Sequence, residues 1–209
     1  QPIFILFDGV VNDIMQVFPA LQALGGYFEK TARVDRGIVL VAHGFSDTMI
    51  GDLSFNWNSA QSTAKVFPLL TPQSAIHNAR TNFLYDLQAY VGVPVFNPTD
   101  RPVVDMDPEK MVNNCRATVF ESGRFKSSIY AKEDIDAIQI RVDELKEHLR
   151  VPESEYEARD LEVRIGKLTS GIARLCIYAP SSSETREKRD RAEDAWMAIK
   201  GAVKHGALP

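Results

Sequence analysis

Two rhythms of apolar residues divide the chain near residue 134. Before it, short apolar runs alternate with stretches spaced for helices. Ile3–Phe7 (IFILF), Ile38–Ala42 (IVLVA) and Ala64–Leu70 (AKVFPLL) are bounded by turn residues or charge, the pattern of buried strands. Between them Ile14, Val17, Phe18, Leu21 and Leu24 recur at three- and four-residue steps, predicting a helix that Gly25-Gly26 ends. Ile50, Leu53 and Trp57 space a second helix; Ile76, Phe83, Leu84, Leu87 and Val91 space a third over about 75–91. Alternation of strand and helix predicts an α/β fold, a mainly parallel sheet flanked by helices.

After Asp134 the strand signals give way to helical ones. Ile135, Ile138, Val142, Leu145 and Leu149 lie on one helical face. Val151-Pro152 breaks that helix, and Ser154 with Glu157 forms a capping-box pattern. Ala158, Leu161, Ile165, Leu168 and Ile172 repeat the stepping, so the two segments predict an antiparallel helical hairpin. Leu175–Tyr178 is a brief strand candidate. A last long helix is expected from about Ser182 to Lys204, with Ala192, Ala195, Trp196, Ile199 and Val203 on one face.

Composition narrows the function classes. The 209 residues are 44% hydrophobic and 25% charged, ordinary for a globular protein, and the net charge of −4 supplies no field for nucleic acid or an anionic membrane. No apolar run is long enough to span a bilayer. The opening QPIFILF has no basic leader and enters a strand directly, so it reads as the interior of a longer protein. Cys115 and Cys176 form no CxxC and are expected to be buried thiols in a reducing compartment.

Three local patterns imitate enzyme motifs. Asp8 ends a strand as in haloacid-dehalogenase phosphatases, but the second aspartate they need is Val10 here. His43-Gly44 follows a strand as in α/β-hydrolases, yet Gly44-Phe45-Ser46-Asp47-Thr48 lacks the final glycine of a nucleophile elbow. Neither strand leads into a G-x-G-x-x-G turn, and no P-loop occurs. A hydrolase or phosphatase using Asp8 or His43 is the alternative enzyme reading. A plain interaction scaffold, docking a partner through the hairpin, is a third.

The last sixty residues carry a sharper signal. R-I-G-K-L-T-S-G-I-A, residues 164–173, resembles the R-V-x-K-L-x-G-G-V-A of group I (GroEL-type) chaperonins. T-R-E-K-R-D-R-A-E-D-A, residues 185–195, resembles the K-E-K-x-x-R-V-E-D-A that opens their long intermediate helix, and D-A-I-Q-I-R-V, residues 136–142, their A-A-I-Q-G-R-V. The three stand in order at family spacing. Upstream, PIFILFD is similar to S-P-F-I-L-L-A-D, and V-F-P-A-L-Q-A-L, residues 17–24, to M-L-P-V-L-E-A-V. Lys65-Val66 and Tyr85-Asp86-Leu87 also fit, with about two extra residues between them.

This resemblance implies a divergent member in which residues 1–172 are most of an apical, polypeptide-binding domain. Residues 173–204 would be the descending part of an intermediate hinge domain, and 205–209 the start of an equatorial domain. It implies an ATP-dependent folding machine, with ATP, Mg2+ and K+ held in the parent protein and none bound by this segment. Partners would be unfolded polypeptides, sister subunits in a ring and a co-chaperonin lid, with no nucleic acid and no membrane. The location would be cytoplasmic, in a bacterium or, for a viral member, in its host. Matching the family's groove are Phe18 and Leu21 on one helix, and Ile50, Ser54 and Phe55 on the next. Ser54 departs from the apolar pattern. Asp194 matches the ATPase aspartate that orients the attacking water, and Gly171 and Gly206 would flank the hinge. The family's acidic residue in the first turn of the long helix is replaced by Ser182.

Overall fold

The structure, a computed structural model, describes residues 1–31, 36–59, 64–73, 78–123, 127–132, 134–169 and 175–206. The first half runs β1 (Ile3–Phe7), β2 (Val10–Val11), α1 (Phe18–Lys30), β3 (Ile38–Ala42), β4 (Gly44–Phe45), α2 (Asp47–Asn58), β5 (Val66–Leu70), α3 (Ala79–Val91) and β6 (Val95–Phe96). There follow α4 (Pro108–Asn114), β7 (Ala117–Ser122), β8 (Ser127–Ala131), α5 (Ile135–Arg150), α6 (Glu155–Thr169) and α7 (Ser182–His205). The chain divides into two compact units, Gln1–Ser170 and Gly171–Pro209.

The three apolar runs become the core of a four-stranded sheet, ordered β5-β3-β1-β6 with every pair parallel. All residues of β1 and β3 are buried, which requires cover on both faces. The connections supply it. From β1 the chain passes through α1 to β3 and through α2 to β5, stepping in one direction each time. Right-handed crossovers therefore set α1 and α2 on the same face. From β5 it returns through α3 to β6, on the far side of β1, so α3 lies on the opposite face. There it packs on β1 and against α5 and α6.

Several sequence expectations need correction. Gly25-Gly26 does not end α1, which continues to Lys30. Two glycines cost a helix interior about 1 kcal/mol each relative to alanine. The turn that follows buries Phe28 completely beside Leu24, worth about 2 kcal/mol, which offsets that cost. On the second helix Met49 and Leu53 are the buried positions; Ile50 is exposed, and Trp57 is half out of water with its ring edge-on to Phe67 at 6.2 Å. The third helix begins at Ala79, and Ile76 lies outside the described residues. It ends at Gly92, whose φ of +80° and whose approach to the Asn114 carbonyl, 2.4 Å from where a Cβ would sit, exclude a side chain.

The β7–β8 hairpin was not foreseen. Its inner face presents Phe120 to the rings of Phe4 and Phe67 at centroid distances of 6.1 and 5.3 Å. The helical hairpin forms as predicted, with Val142, Leu145 and Leu161 buried. Ser154 Oγ accepts from the Glu157 amide, and Glu157 accepts in return from the Glu153 amide.

Leu175–Tyr178 is not a strand. It has no ladder partner among the described residues, and both ends are exposed. Both cysteines are free, but Cys115 is half-buried and Cys176 exposed, so the expectation of two buried thiols fails.

Candidate functional site

The face of the sheet that carries α1 and α2 leaves apolar side chains in solvent. On α1 the inward positions are Ala20, Leu24 and Phe28, preceded by buried Val17. Phe18 and Leu21 each follow an inward residue by one position, about 100° round the helix. They lie on the flank: Phe18 is 43% exposed and Leu21 half-buried. On α2 the inward pair is Met49 and Leu53. Ile50 and Ser54 follow each by one residue, and Phe55 points further out. Ile50 is 42% exposed, Phe55 79%, and Ser54 is exposed.

A small parallel ladder holds the starts of these helices in place. Val10 and Val11 of β2 pair with Gly44 and Phe45 of β4. Ser46 then caps α2, accepting from the Met49 amide at 3.1 Å. The same hydroxyl donates to the Asn12 carbonyl at 2.6 Å, and the Ser46 amide to that of Val11. The first turn of α2 is thus tied to the segment that leads into α1. That segment is a 3-10 turn, Ile14–Gln16, capped by Asp13. It carries Met15, 65% exposed and one turn ahead of Phe18. Sequence reasoning missed Met15, although its three-residue spacing to Phe18 was visible.

At the carboxyl edge of the sheet, Asp8 and His43 meet. His43 Nε2 lies 3.2 Å from Asp8 Oδ1, a close contact that lacks hydrogen-bond geometry. The same oxygen accepts from Thr81 Oγ1 at 2.9 Å, and Arg80 donates to the His43 carbonyl. Burial lowers the His43 pKa; Asp8 acts to raise it and Arg80 to lower it. The cluster ties β1 and β3 to the first turn of α3. Among the described residues no group of three or more His, Cys, Asp and Glu side chains could hold a metal.

A larger open groove, about 1200 Å³, lies between α3, α4 and α5. Its charges are largely spent on neighbours: Arg116 on Asp134, and Arg141 on Asp86 and Glu144.

The second unit presents α7, 24 residues long. Ser181 caps it, and its first turn holds Glu184, so an acid is present there beside Ser182. Asp194 is exposed on this helix, and so are Trp196, Ile199 and Val203 of the predicted apolar face. Gly206 closes the helix with φ 78°, its amide bonded to the Ala202 carbonyl. Gly171 lies outside the described residues.

No family model matches the chain. Among curated relatives it is 26% identical to Chaperonin GroEL 3 of Psychromonas ingrahamii, over 210 aligned residues that cover all of this chain and 36% of that protein. Among solved structures it resembles the chaperonin gp146 from the bacteriophage EL 2 (Pseudomonas aeruginosa), crystallised in the presence of ATP-BeFx. In one crystal form the TM-score is 0.63 at 21% identity, covering 99% of this chain and 39% of that one. In the other it is 0.59 at 19%, covering 100% and 38%. The fold is that of a chaperonin segment, and the sequence match runs along the whole chain. The chain resembles GroEL-type chaperonins along its whole length and spans a little over a third of the relatives it matches.

Proposed function

We propose that the exposed apolar residues of α1 and α2 capture non-native polypeptides for an ATP-dependent chaperonin. One observation carries this: Phe18, Ile50 and Phe55 stand in solvent on two helices that share one face of a rigid sheet. Soluble proteins seldom leave several large apolar side chains exposed together without a partner. Unfolded chains expose the same kind of surface, and apolar contact makes few demands on sequence, so such a face holds many clients. Leu21 lines the same face, and Ser54 places a hydroxyl in it.

In this reading residues 1–172 form the apical domain, 173–204 the descending intermediate segment and 205–209 the start of the equatorial domain. Asp194 on α7 orients the water that attacks ATP, and Gly171 and Gly206 absorb the swing that delivers it. ATP, Mg2+ and K+ are held by the rest of the protein. Sister subunits form a ring, a co-chaperonin closes it, and the assembly works in the cytoplasm. The likeness to chaperonins along the whole chain supports this over a hydrolase or phosphatase built on Asp8 or His43.

Phe18→Ser and Phe55→Ser test the reading. Binding of a chemically unfolded client by the intact protein, followed by light scattering, should weaken about tenfold for each, the scale of a lost apolar anchor. Capture at the wild-type level by both variants removes these residues from the site.

A further inference from the structure

We propose that this surface prefers apolar segments bearing positive charge, an inference that rests on reading α1 and α2 as the polypeptide-binding face. The evidence is the sign of the charges carried by the segments that build it. Residues 9–28 and 44–58, which build the face, include no lysine or arginine; their charged residues are Asp13, Asp47 and Asp52. All three are exposed. Each stands beside an exposed apolar residue. Asp47 lies three residues before Ile50 and Asp52 three before Phe55, so each carboxylate sits one turn from its apolar neighbour on the helix surface. Asp13 caps the turn that carries Met15 and accepts from its amide at 2.8 Å.

Among the described residues, no ion pair joins Asp13, Asp47 or Asp52 to a cation, and the cations of adjoining segments are placed elsewhere. The Lys65 ammonium is bonded to the Asn56, Trp57 and Ser59 carbonyls at the far end of α2. Arg80 is turned to the His43 carbonyl. Lys30 ends α1 beside Glu29. A bound chain therefore meets apolar contact edged by negative charge. Lysine or arginine flanking its apolar residues is attracted, while aspartate or glutamate is repelled.

The test uses three fluorescent peptides that share one apolar core and are flanked by lysine, serine or glutamate. Their binding to the intact protein is followed by anisotropy at low and high salt. The lysine peptide should bind about tenfold tighter than the glutamate peptide at low salt, three exposed charge pairs contributing modestly. The gap should close at about 0.5 M salt, where screening shortens to a few ångströms. Asp13→Asn, Asp47→Asn and Asp52→Asn combined should abolish the gap and leave the serine peptide unchanged, since asparagine keeps the cap at position 13. Equal affinity for the lysine and glutamate peptides overturns the inference. If the serine peptide still binds and loses affinity with Phe55→Ser, the reading of the face survives that result. If no peptide binds, or Phe55→Ser leaves the serine peptide unaffected, that reading falls and the inference with it.

Discussion

His43 sits where a half-buried imidazole, a shared carboxylate and a guanidinium meet. Burial lowers its pKa from the ordinary 6.5; Asp8 opposes that shift and Arg80 adds to it. The unfolded chain then takes up the proton at a higher pH than the folded one. Stability is therefore lost as pH falls below about 6.5, and the loss ends once the folded value is passed. His43→Gln removes the titration. Between about pH 7.5 and about pH 5.5 the wild-type urea midpoint should fall further than that of the variant. Parallel falls would show that His43 is not the group responsible. Asp8 and His43 each looked like half of an enzyme motif in the sequence. Together they tie strand ends to α3, a pairing that depended on a contact 35 residues apart and so was invisible to local spacing.

Among the elements, the α5–α6 hairpin meets α3 at a carboxylate shared by two arginines. Asp86 receives two bonds from Arg164, at 2.7 and 2.9 Å, and one from Arg141 at 2.9 Å. The side chains are mostly out of water. Burial works against the Arg164 charge, but Asp86 and Asp160 outweigh it and its pKa is raised. Asp86→Ala should cost about 3 kcal/mol, because two largely buried guanidinium groups lose their main partner. Thermal unfolding would show it, and a melting temperature within about 1 °C of wild type would contradict it. The hairpin itself was legible from period and capping alone, as were three strands of the sheet, because long runs of one period leave little ambiguity. The β7–β8 hairpin was not. Val119 and Tyr130 are exposed while Phe120 and Ile129 pack inward, and the shift of register after Ala117 breaks the alternation that would have announced it. The extent of α1 is not legible from its glycines, because the core, through buried Phe28, carries the helix past them.

On the scale of the molecule, the proposed function assigns client binding to an apolar face of the first unit and ATP hydrolysis to an aspartate on the long helix of the second. The residues of that face were named from family resemblance, and their flank positions follow from helical geometry once the inward residues are known. What the sequence withheld was the ladder between β2 and β4 that ties the starts of α1 and α2 together, with the result that Met15 went unnoticed. Under the proposed function, unfolded chains rest on α1 and α2. The most direct measurement places a photo-crosslinking amino acid at Phe55, and in a second protein at Tyr156 on α6, which is 78% exposed and so equally accessible. Each intact protein is irradiated with one client, unfolded or native. The account predicts cross-links from position 55 to the unfolded client, few to the native one, and few from position 156. Equal yields from the two positions, or a yield from 55 that ignores the folding state of the client, would contradict it.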